Sequence, residues 1–177
     1  METFIALLRG INVSGKNLIK MAELSHVLSE AGISNVRTYI QSGNVVFESA
    51  TDNPFIVEKL IQDNIRGHFS LEVPVQVVKR SELVYISNHN PFINDRALPV
   101  DKLHLTFLNA IPDPALVSKA GAGSFLPDEF IVSGNAVFVY CPDGYGRTKL
   151  TNTFFEKKLK VSATTRNWAT VKKLCEM

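Results

Sequence analysis

SGNVVF at residues 42–47 decides the fold, because it recurs as SGNAVF at residues 133–138. The two copies lie 91 residues apart and match at five of six positions. In each copy a Ser-Gly-Asn turn precedes an apolar run of strand length, which indicates a β-hairpin. Both copies also fall at the same place in the order of predicted elements, which chance turn chemistry explains poorly. The repeat therefore predicts a chain built from two similar halves.

The segments around the first copy predict the element order β-α-β-β-α-β, known as the ferredoxin-like split βαβ. Apolar runs and alternation predict strands at residues 4–9, 36–41, 45–48 and 75–78. Helical spacing predicts one helix between Met21 and Gly32, and a second helix that starts after Asp52 or Asn53. The apolar face predicted for the second helix consists of Ile56, Leu60, Ile65 and Phe69.

The same order is predicted around the second copy. Strands are expected at residues 103–108, 130–132, 137–141 and 164–167, with helices at residues 115–120 and 152–160. A last helix turns Trp168, Val171 and Leu174 inward. We therefore predict an α+β protein formed by tandem duplication of two ferredoxin-like halves. The predicted domains are residues 1–80, a helical linker at residues 81–100, and residues 101–177 with the C-terminal helix.

Composition indicates a globular protein, with 45% apolar and 20% charged residues. No apolar run approaches the roughly 18 residues that a membrane span needs. The first ten residues lack a basic leader with a cleavage site, so we expect a cytoplasmic protein without a membrane partner. Cys141 and Cys175 are too few for a disulfide framework or a zinc site, and the four histidines lack metal-ligand spacing. We therefore expect no metal and no cofactor.

Positive charge is concentrated toward the C-terminus. Residues 1–144 carry 11 Lys and Arg against 15 Asp and Glu, whereas residues 145–177 carry 8 against 2. Such a segment is typical either of a solvated helix face or of a patch for an anionic ligand. The net charge of only +2 argues against a dedicated nucleic-acid binder of high affinity.

Polar residues of the first half are expected to converge, because this topology places the loop after the first strand beside the hairpin. The candidate ligand-binding residues are Arg9, Asn12, Lys16, Asn17, Gln41 and Asn44. GINVSGKN at residues 10–17 nearly spells a phosphate-binding P-loop, but Asn17 stands where a Mg²⁺-binding Ser or Thr belongs. Two interpretations remain open: a polar loop that only shapes the helix entry, and a Mg²⁺-free site for a small anion.

A second cluster is expected at one end of the second predicted sheet. Its candidates lie in DGYGRTK at residues 143–149 and at the end of the last strand, namely Arg147, Lys149, Arg166 and Asn167. Thr151 or Asn152 caps a helix whose free N–H groups would point at this loop, as in many anion sites. The alternative is that Arg147 and Lys149 pair with Asp143 and Glu156 instead of with a ligand.

Four segments, RGINVSGKN, VRTYIQSGNVVFES, YCPDGYGRTKLTN and TTRNWATVKKL, together resemble the bacterial domain-of-unknown-function family 1697 (DUF1697). The resemblance spans residues 4–174. It implies a tandem ferredoxin-like α+β protein, but the family brings no established substrate, cofactor or catalytic residue. Members commonly carry Gly-Gly-Lys-Asn where this chain has Ser14-Gly15-Lys16-Asn17.

Three functional hypotheses follow. The first is a cytoplasmic protein that binds a phosphate-bearing ligand, either a nucleotide or a nucleic-acid backbone, by charge-assisted hydrogen bonds without covalent chemistry. The second is an enzyme that acts on a small anionic metabolite, with Asp143 or Tyr145 as acid or base beside Arg147. The third is a protein–protein interaction module or homo-oligomer that pairs through sheet faces or edges.

Overall fold

The computed structural model describes all 177 residues and shows an α+β fold with two four-stranded antiparallel sheets. The chain divides into two compact units. The first unit comprises Met1–Val84 and Leu174–Met177, and the second comprises Tyr85–Lys173. No helix is both long enough and apolar enough to cross a bilayer.

The first unit follows the order predicted around SGNVVF. Its elements are β1 (Glu2–Leu8), α1 (Met21–Glu30), β2 (Ser34–Tyr39), β3 (Asn44–Ser49), α2 (Pro54–Phe69), β4 (Val75–Lys79) and the start of α3 (Arg80–Asn88). The sheet order is β2-β3-β1-β4, with every neighbouring pair antiparallel. Side chains alternate along β1, so Phe4, Ala6 and Leu8 form a core with α1 and α2.

Helix α2 begins where the sequence predicts and buries a different stripe. The Asn53 side chain accepts a hydrogen bond from the Phe55 backbone N–H (3.0 Å), and Pro54 occupies the first turn. The buried residues are Val57, Ile61 and Ile65. The prediction for Ile56 and Leu60 is wrong, because these side chains are 58% and 37% exposed. Val57 and Ile61 lie one position further along the helix, which rotates the stripe by about 100°.

The second unit repeats the element order. Its elements are α4 (Pro91–Asn94), β5 (Leu103–Leu108), α5 (Pro114–Gly121), β6 (Glu129–Ser133), β7 (Ala136–Tyr140), α6 (Asn152–Leu159), β8 (Ala163–Asn167) and most of α7 (Trp168–Glu176). Short 3₁₀ turns occupy Val100–Lys102 and Tyr145–Arg147. The sheet order is β6-β7-β5-β8, again fully antiparallel. Trp168, Val171 and Leu174 are buried as predicted.

The core of the second unit contains a cluster of four phenylalanines, whereas that of the first unit contains the stacked pair Phe4 and Phe47 among aliphatic residues. Phe125, Phe130, Phe154 and Phe155 contact one another edge to face, with ring centroids 5.1–6.2 Å apart. This arrangement is favourable because the positive ring edge meets the negative ring face. Phe125 belongs to the segment between α5 and β6, and its partly buried side chain packs against the hydrophobic core.

The two copies of the repeated hexapeptide form different turns. In the first copy the last pair of the hairpin is Tyr39 with Asn44, which leaves residues 40–43 as the loop. In the second copy Ser133 pairs with Ala136, and only residues 134 and 135 form the turn. The sequence match therefore does not extend to the conformation of the turn.

The copies also differ in which sheet face they bury against the helices. Val45 and Phe47 belong to the helix-side core of the first unit, whereas Val137 and Val139 belong to that of the second unit. In the sequence match, Val137 corresponds to Val46. Because strand side chains alternate, the match is one residue out of phase with structural equivalence.

Candidate anion-binding site

The loop between β1 and α1 is held by the amide side chain of Asn12. Its Nδ2 donates to the backbone carbonyl oxygens of Ile19 (2.9 Å) and Gln41 (2.8 Å), and its Oδ1 accepts from the Ile19 N–H (2.9 Å). The bond to Gln41 joins this loop to the β2–β3 loop, so the predicted convergence of the two loops occurs. Asn12 is engaged in backbone contacts, which is what a loop that shapes the helix entry requires.

The other amides of this loop pair are also engaged within the protein. Asn17 Nδ2 donates to the Gly10 carbonyl (2.9 Å), and the buried Asn44 donates to the Tyr39 carbonyl and the Ser42 hydroxyl (both 3.1 Å). These bonds satisfy amide donors that the sequence assigned to a ligand.

The tip of the β1–α1 loop is a tight turn. Lys16 N–H donates to the Val13 carbonyl (3.0 Å), and the two residues between them have positive φ, as in a type I′ turn. The Lys16 and Gln41 side chains are exposed, and the backbone N–H of half-buried Arg9 donates to the Pro74 carbonyl (2.9 Å). Helix α1 starts only at Met21, so Lys16 is not at a helix N-terminus as it would be in a P-loop.

The second unit gathers Arg147 and Lys149 with two carboxylates in one cleft. The cleft has a volume of about 170 Å³, and its walls are residues 124–128 and the segment that carries Asp143, Arg147 and Lys149. We call it the cationic cleft. Neither Arg147 nor Lys149 forms an ion pair in the structure, although Asp128 and Asp143 line the same space. The alternative in which Arg147 and Lys149 pair with Asp143 and Glu156 is therefore not seen in the structure.

Thr148 holds the two walls of the cationic cleft together. Its hydroxyl donates to Asp128 Oδ2 (2.6 Å) and accepts from the Leu150 N–H (3.0 Å). Thr148 is buried, so its side chain points inward while Arg147 and Lys149 on either side of it are exposed. The alternation of residues 147–149 thus places both cations toward solvent.

Cys141 lies beneath this region as a structural thiol. Its side chain is fully buried, and this burial raises the pKa of Cys141 to about 11, although a hydrogen bond with Thr148 acts in the opposite direction. A thiol with this pKa is almost entirely protonated at neutral pH and is a poor nucleophile. Cys141 therefore offers no covalent chemistry to a ligand in the cleft.

Neither Arg166 nor Asn167 lines the cationic cleft with Arg147 and Lys149. Thr165 pairs with Thr106 on the helix side of the sheet, so Arg166 points to the opposite face. Burial lowers the pKa of Arg166 to about 10, and its Nη1 donates to the Thr165 carbonyl (3.0 Å). Asn167 Oδ1 accepts from the Thr170 N–H (2.8 Å) at the start of α7. The expected grouping of all four residues is thus corrected: Arg166 is on the other face, and the Asn167 side chain caps a helix.

His104 and Tyr145 stack at the same end of the sheet, with ring centroids 4.6 Å apart. Burial lowers the pKa of His104, while a hydrogen bond with the Lys102 backbone acts against this shift. Tyr145 is therefore part of a packed ring pair. Of the two acid or base candidates, only Asp143 lines the cationic cleft.

Asp128 and the wall formed by residues 124–128 are not among the residues that the sequence predicts for the site. This segment ends in a turn in which Asp128 N–H donates to the Phe125 carbonyl (2.9 Å). The Pro127-Asp128 pair is the local signal that marks a turn. Nothing in the sequence shows that Asp128 meets Thr148, twenty positions away. No group of three or more His, Cys, Asp or Glu side chains is placed to hold a metal ion.

The fold and the cleft define an α+β protein with two four-stranded sheets and a polar pocket in its second unit. The chain belongs to the DUF1697 family, described as proteins of unknown function, whose model matches residues 1–138. The match ends within β7, so Arg147, Lys149 and two of the four quoted motifs lie beyond it.

The conserved bacterial protein SP0830 from Streptococcus pneumoniae has a similar solved structure. The TM-score is 0.79 at 22% sequence identity, with 100% of this chain and 98% of that chain covered. At this identity the likeness shows a shared fold. No curated protein matches the chain.

Proposed function

We propose that this protein binds a small phosphate-bearing molecule in the cationic cleft of its second unit, without covalent chemistry. The observation that carries the proposal is that Arg147 and Lys149 line one cleft and neither forms an ion pair. A guanidinium and an ammonium beside each other suit a phosphate, since both donate charge-assisted hydrogen bonds to its oxygens. The volume of about 170 Å³ fits one such group with part of the molecule attached to it.

The carboxylates in the cleft favour a small molecule over a nucleic-acid backbone. Asp128 and Asp143 balance the two cations, so the cleft has no net formal charge. A polyanion is attracted mainly by a surplus of positive charge, which this cleft lacks. A nucleotide or a sugar phosphate carries hydroxyl groups that donate to Asp143 while its phosphate meets Arg147 and Lys149.

The two units are similar enough to suggest a common origin. We infer two ferredoxin-like halves that arose by duplication, with domains at residues 1–80 and 101–177 and a linker between them. The compact units have other bounds, since residues 174–177 belong to the first unit and residues 85–100 to the second. The identical element order and equivalent strand order of the two sheets support this inference. A cytoplasmic location is part of the proposal, in keeping with two free cysteines.

The proposal is tested by isothermal titration of the protein with inorganic phosphate, ribose 5-phosphate and adenosine monophosphate. We expect at least one organic phosphate to bind, and Arg147→Ala with Lys149→Ala to weaken its binding about a hundredfold, because two charge-assisted hydrogen bonds are lost. The matched control is Lys157→Ala with Lys158→Ala, which removes two exposed cations of α6. Equal losses in both double variants would show nonspecific charge attraction and would contradict the proposal.

A second candidate function, an enzyme acting on a small anionic metabolite, is favoured by Asp143 in the same cleft as Arg147. Asp143 is exposed, so its carboxylate can contact a ligand bound in the cleft without rearrangement of the core. Turnover of phosphorylated metabolites by the wild type and by Asp143→Asn separates the two functions. Turnover lost in the variant while binding persists would support the enzyme; binding without turnover in either protein would support the binding protein.

A further inference from the structure

Helices α1 and α5 hold the same place in the element order of their units but differ in whether they cover the edge strand of the sheet. In the first unit, α1 packs against the edge strand β2. In the second unit, α5 packs against α6 and leaves the edge strand β6 largely uncovered. The space that remains beside β6 is a groove of about 560 Å³. We call it the β6 groove.

The walls of the β6 groove combine an apolar floor with a small-residue rim. Val117 on α5, Phe125 and the β6 residues Phe130 and Val132 supply the apolar surface. Residues 121–124, Gly-Ala-Gly-Ser, form the rim, so the backbone of a ligand can approach closely there. Phe130 and Val132 are only half-buried, although they belong to the helix-side face of the sheet.

The backbone of β6 has unpaired groups on the side that faces the groove. Leu108 N–H donates to the Asn135 carbonyl (2.8 Å), so residues 135, 137 and 139 of β7 bond to β5. Residues 136, 138 and 140 of β7 therefore bond to β6, where their partners are residues 133, 131 and 129. The N–H and C=O groups of Phe130 and Val132 therefore point away from the sheet and are available to one more strand.

The position of Arg147 and Lys149 favours one direction for an added strand, although the cleft has no net formal charge, because Asp128 in the same cleft already accepts a hydrogen bond from Thr148. The β6 groove and the cationic cleft share residues 124–126 and Asp128, which lie at the N-terminal end of β6. A strand that pairs antiparallel with β6 has its own C-terminus at that end. Arg147 and Lys149 then meet the terminal carboxylate, which is the one charge that every such segment carries.

We propose that the β6 groove binds the C-terminal segment of a partner polypeptide, which pairs antiparallel with β6 and places its free carboxylate at Arg147 and Lys149. Backbone bonds to Phe130 and Val132 supply affinity, and side chains at alternate positions of the segment fill the space between Phe130, Val132 and Val117. Because strand side chains alternate, those positions are apolar and the positions between them face solvent. The proposal for the carboxylate end rests on the proposed function of the cationic cleft; the pairing with β6 does not.

The test is selection from a library of random heptapeptides displayed with free C-termini, against the intact protein. We expect enriched sequences to carry apolar residues at alternate positions near the C-terminus. A selected peptide is then synthesised as the free acid and as the C-terminal amide, and the amide should bind about tenfold more weakly. Binding of the acid should protect the amides of Phe130 and Val132 from hydrogen exchange, a readout that an anion bound at the cleft alone would not change.

Val132→Pro is the decisive variant, because it removes an N–H that faces the groove and no bond to β7 is lost. It should weaken the peptide about tenfold or more. Val117→Lys, at a half-buried position of α5 in the wall of the groove, should block the groove by a second route. The matched control is Ile131→Ala, whose side chain lies on the other sheet face and whose backbone groups bond β7; it should bind as the wild type does.

The outcomes separate this inference from the proposed function. If the wild type enriches no peptides beyond those that the Val132→Pro variant enriches, and organic phosphate still binds, the inference is overturned and the proposed function stays intact. Equal binding of acid and amide, with both amides protected, would overturn the carboxylate contact. A concentration-dependent dimer that Val132→Pro dissociates would show that the edge pairs with a second copy of the chain, which would also overturn the proposal.

Discussion

The two units have equivalent strand orders but differ in helix packing, hairpin turn and core. In the first unit the ten-residue helix α1 covers the edge strand β2, and a four-residue loop closes the hairpin. In the second unit α5 turns toward α6, a two-residue turn closes the hairpin, and Phe125 fills part of the core. The same topology therefore tolerates changes of turn, helix position and sheet register. Two of these departures, the position of α5 and the segment that carries Phe125, border the β6 groove.

The cysteines give the largest expected contrast. Cys141 of the second unit is fully buried and burial raises its pKa to about 11, whereas Cys175 of the first unit is half-buried. At pH 8 we expect Cys141 to be alkylated by iodoacetamide roughly a hundredfold more slowly than in the unfolded chain, since the thiolate fraction limits the rate. Peptide mass spectrometry measures each site. Fast alkylation of Cys141 in the folded protein would mean that the second core opens readily.

Helix packing gives the next contrast. Leu24 of α1 is fully buried, so Leu24→Ala should lower the free energy of unfolding by about 3 kcal/mol, through lost apolar contacts and a cavity. Val117 of α5 is half-buried beside the β6 groove, so Val117→Ala should cost below about 1 kcal/mol. Urea denaturation of both variants checks this. Similar losses would show that α5 is packed as firmly as α1.

The glycines of the repeated hexapeptide give a smaller contrast. Gly43 has φ +86°, and a Cβ there would lie 2.7 Å from Leu8 Cβ and 2.8 Å from Ile11 Cδ1. Gly134 has φ +58° with open space around it. We expect Gly43→Ala to cost about 3 kcal/mol and Gly134→Ala about 1 kcal/mol, because only the first adds a steric clash to the backbone strain. Thermal unfolding monitored by circular dichroism gives both values; equal costs would contradict the structural difference between the copies.

The smallest expected effect concerns pH. Burial lowers the pKa of His104, so the folded state favours the neutral imidazole. As pH falls below about 6.5, the unfolded chain takes up a proton that the folded protein resists, and stability decreases. Leu8 and Leu108 each donate a backbone hydrogen bond to the hairpin of their own unit, so they occupy equivalent positions on β1 and β5. Four residues earlier, Phe4 is then equivalent to His104, which indicates that a phenylalanine fits this position. His104→Phe should therefore remove this part of the pH dependence. Stability curves at pH 5 and pH 7.5 for both proteins test it; an unchanged slope would assign the dependence to other groups.

The order of elements was predictable because it is written in local patterns. Strand β5 lies at the predicted residues 103–108, and α2 begins after Asn53 because the amide cap is a local signal. The buried stripe of α2 was not predictable, since Ile56 and Val57 are equally apolar and only tertiary packing chooses between them. The one-residue offset between the sequence match of the hexapeptides and their structural equivalence was not predictable for a similar reason. A two-residue turn and a longer loop accept the same Ser-Gly-Asn sequence.

The candidate site was only partly predictable. Arg147 and Lys149 lie together because they are two positions apart on one loop. The amides of Asn12, Asn17 and Asn44 face backbone groups, since a loop with several positive-φ residues needs side-chain partners for its own carbonyls. Sequence does not distinguish such an amide from one that binds a ligand. Asp128 was missed because its partner Thr148 is distant in the chain.

The first unit consists of two pieces of chain, Met1–Val84 and Leu174–Met177. Leu174 is fully buried, and the Cys175 carbonyl accepts a hydrogen bond from Arg80 Nη2 (2.6 Å). A fragment that stops at residue 84 would therefore lack four residues of its own unit, so a single protease cut between the units cannot yield the first one whole. Expression trials that aim to isolate it need the last four residues joined back on, for instance by rearranging the gene so that they precede Met1.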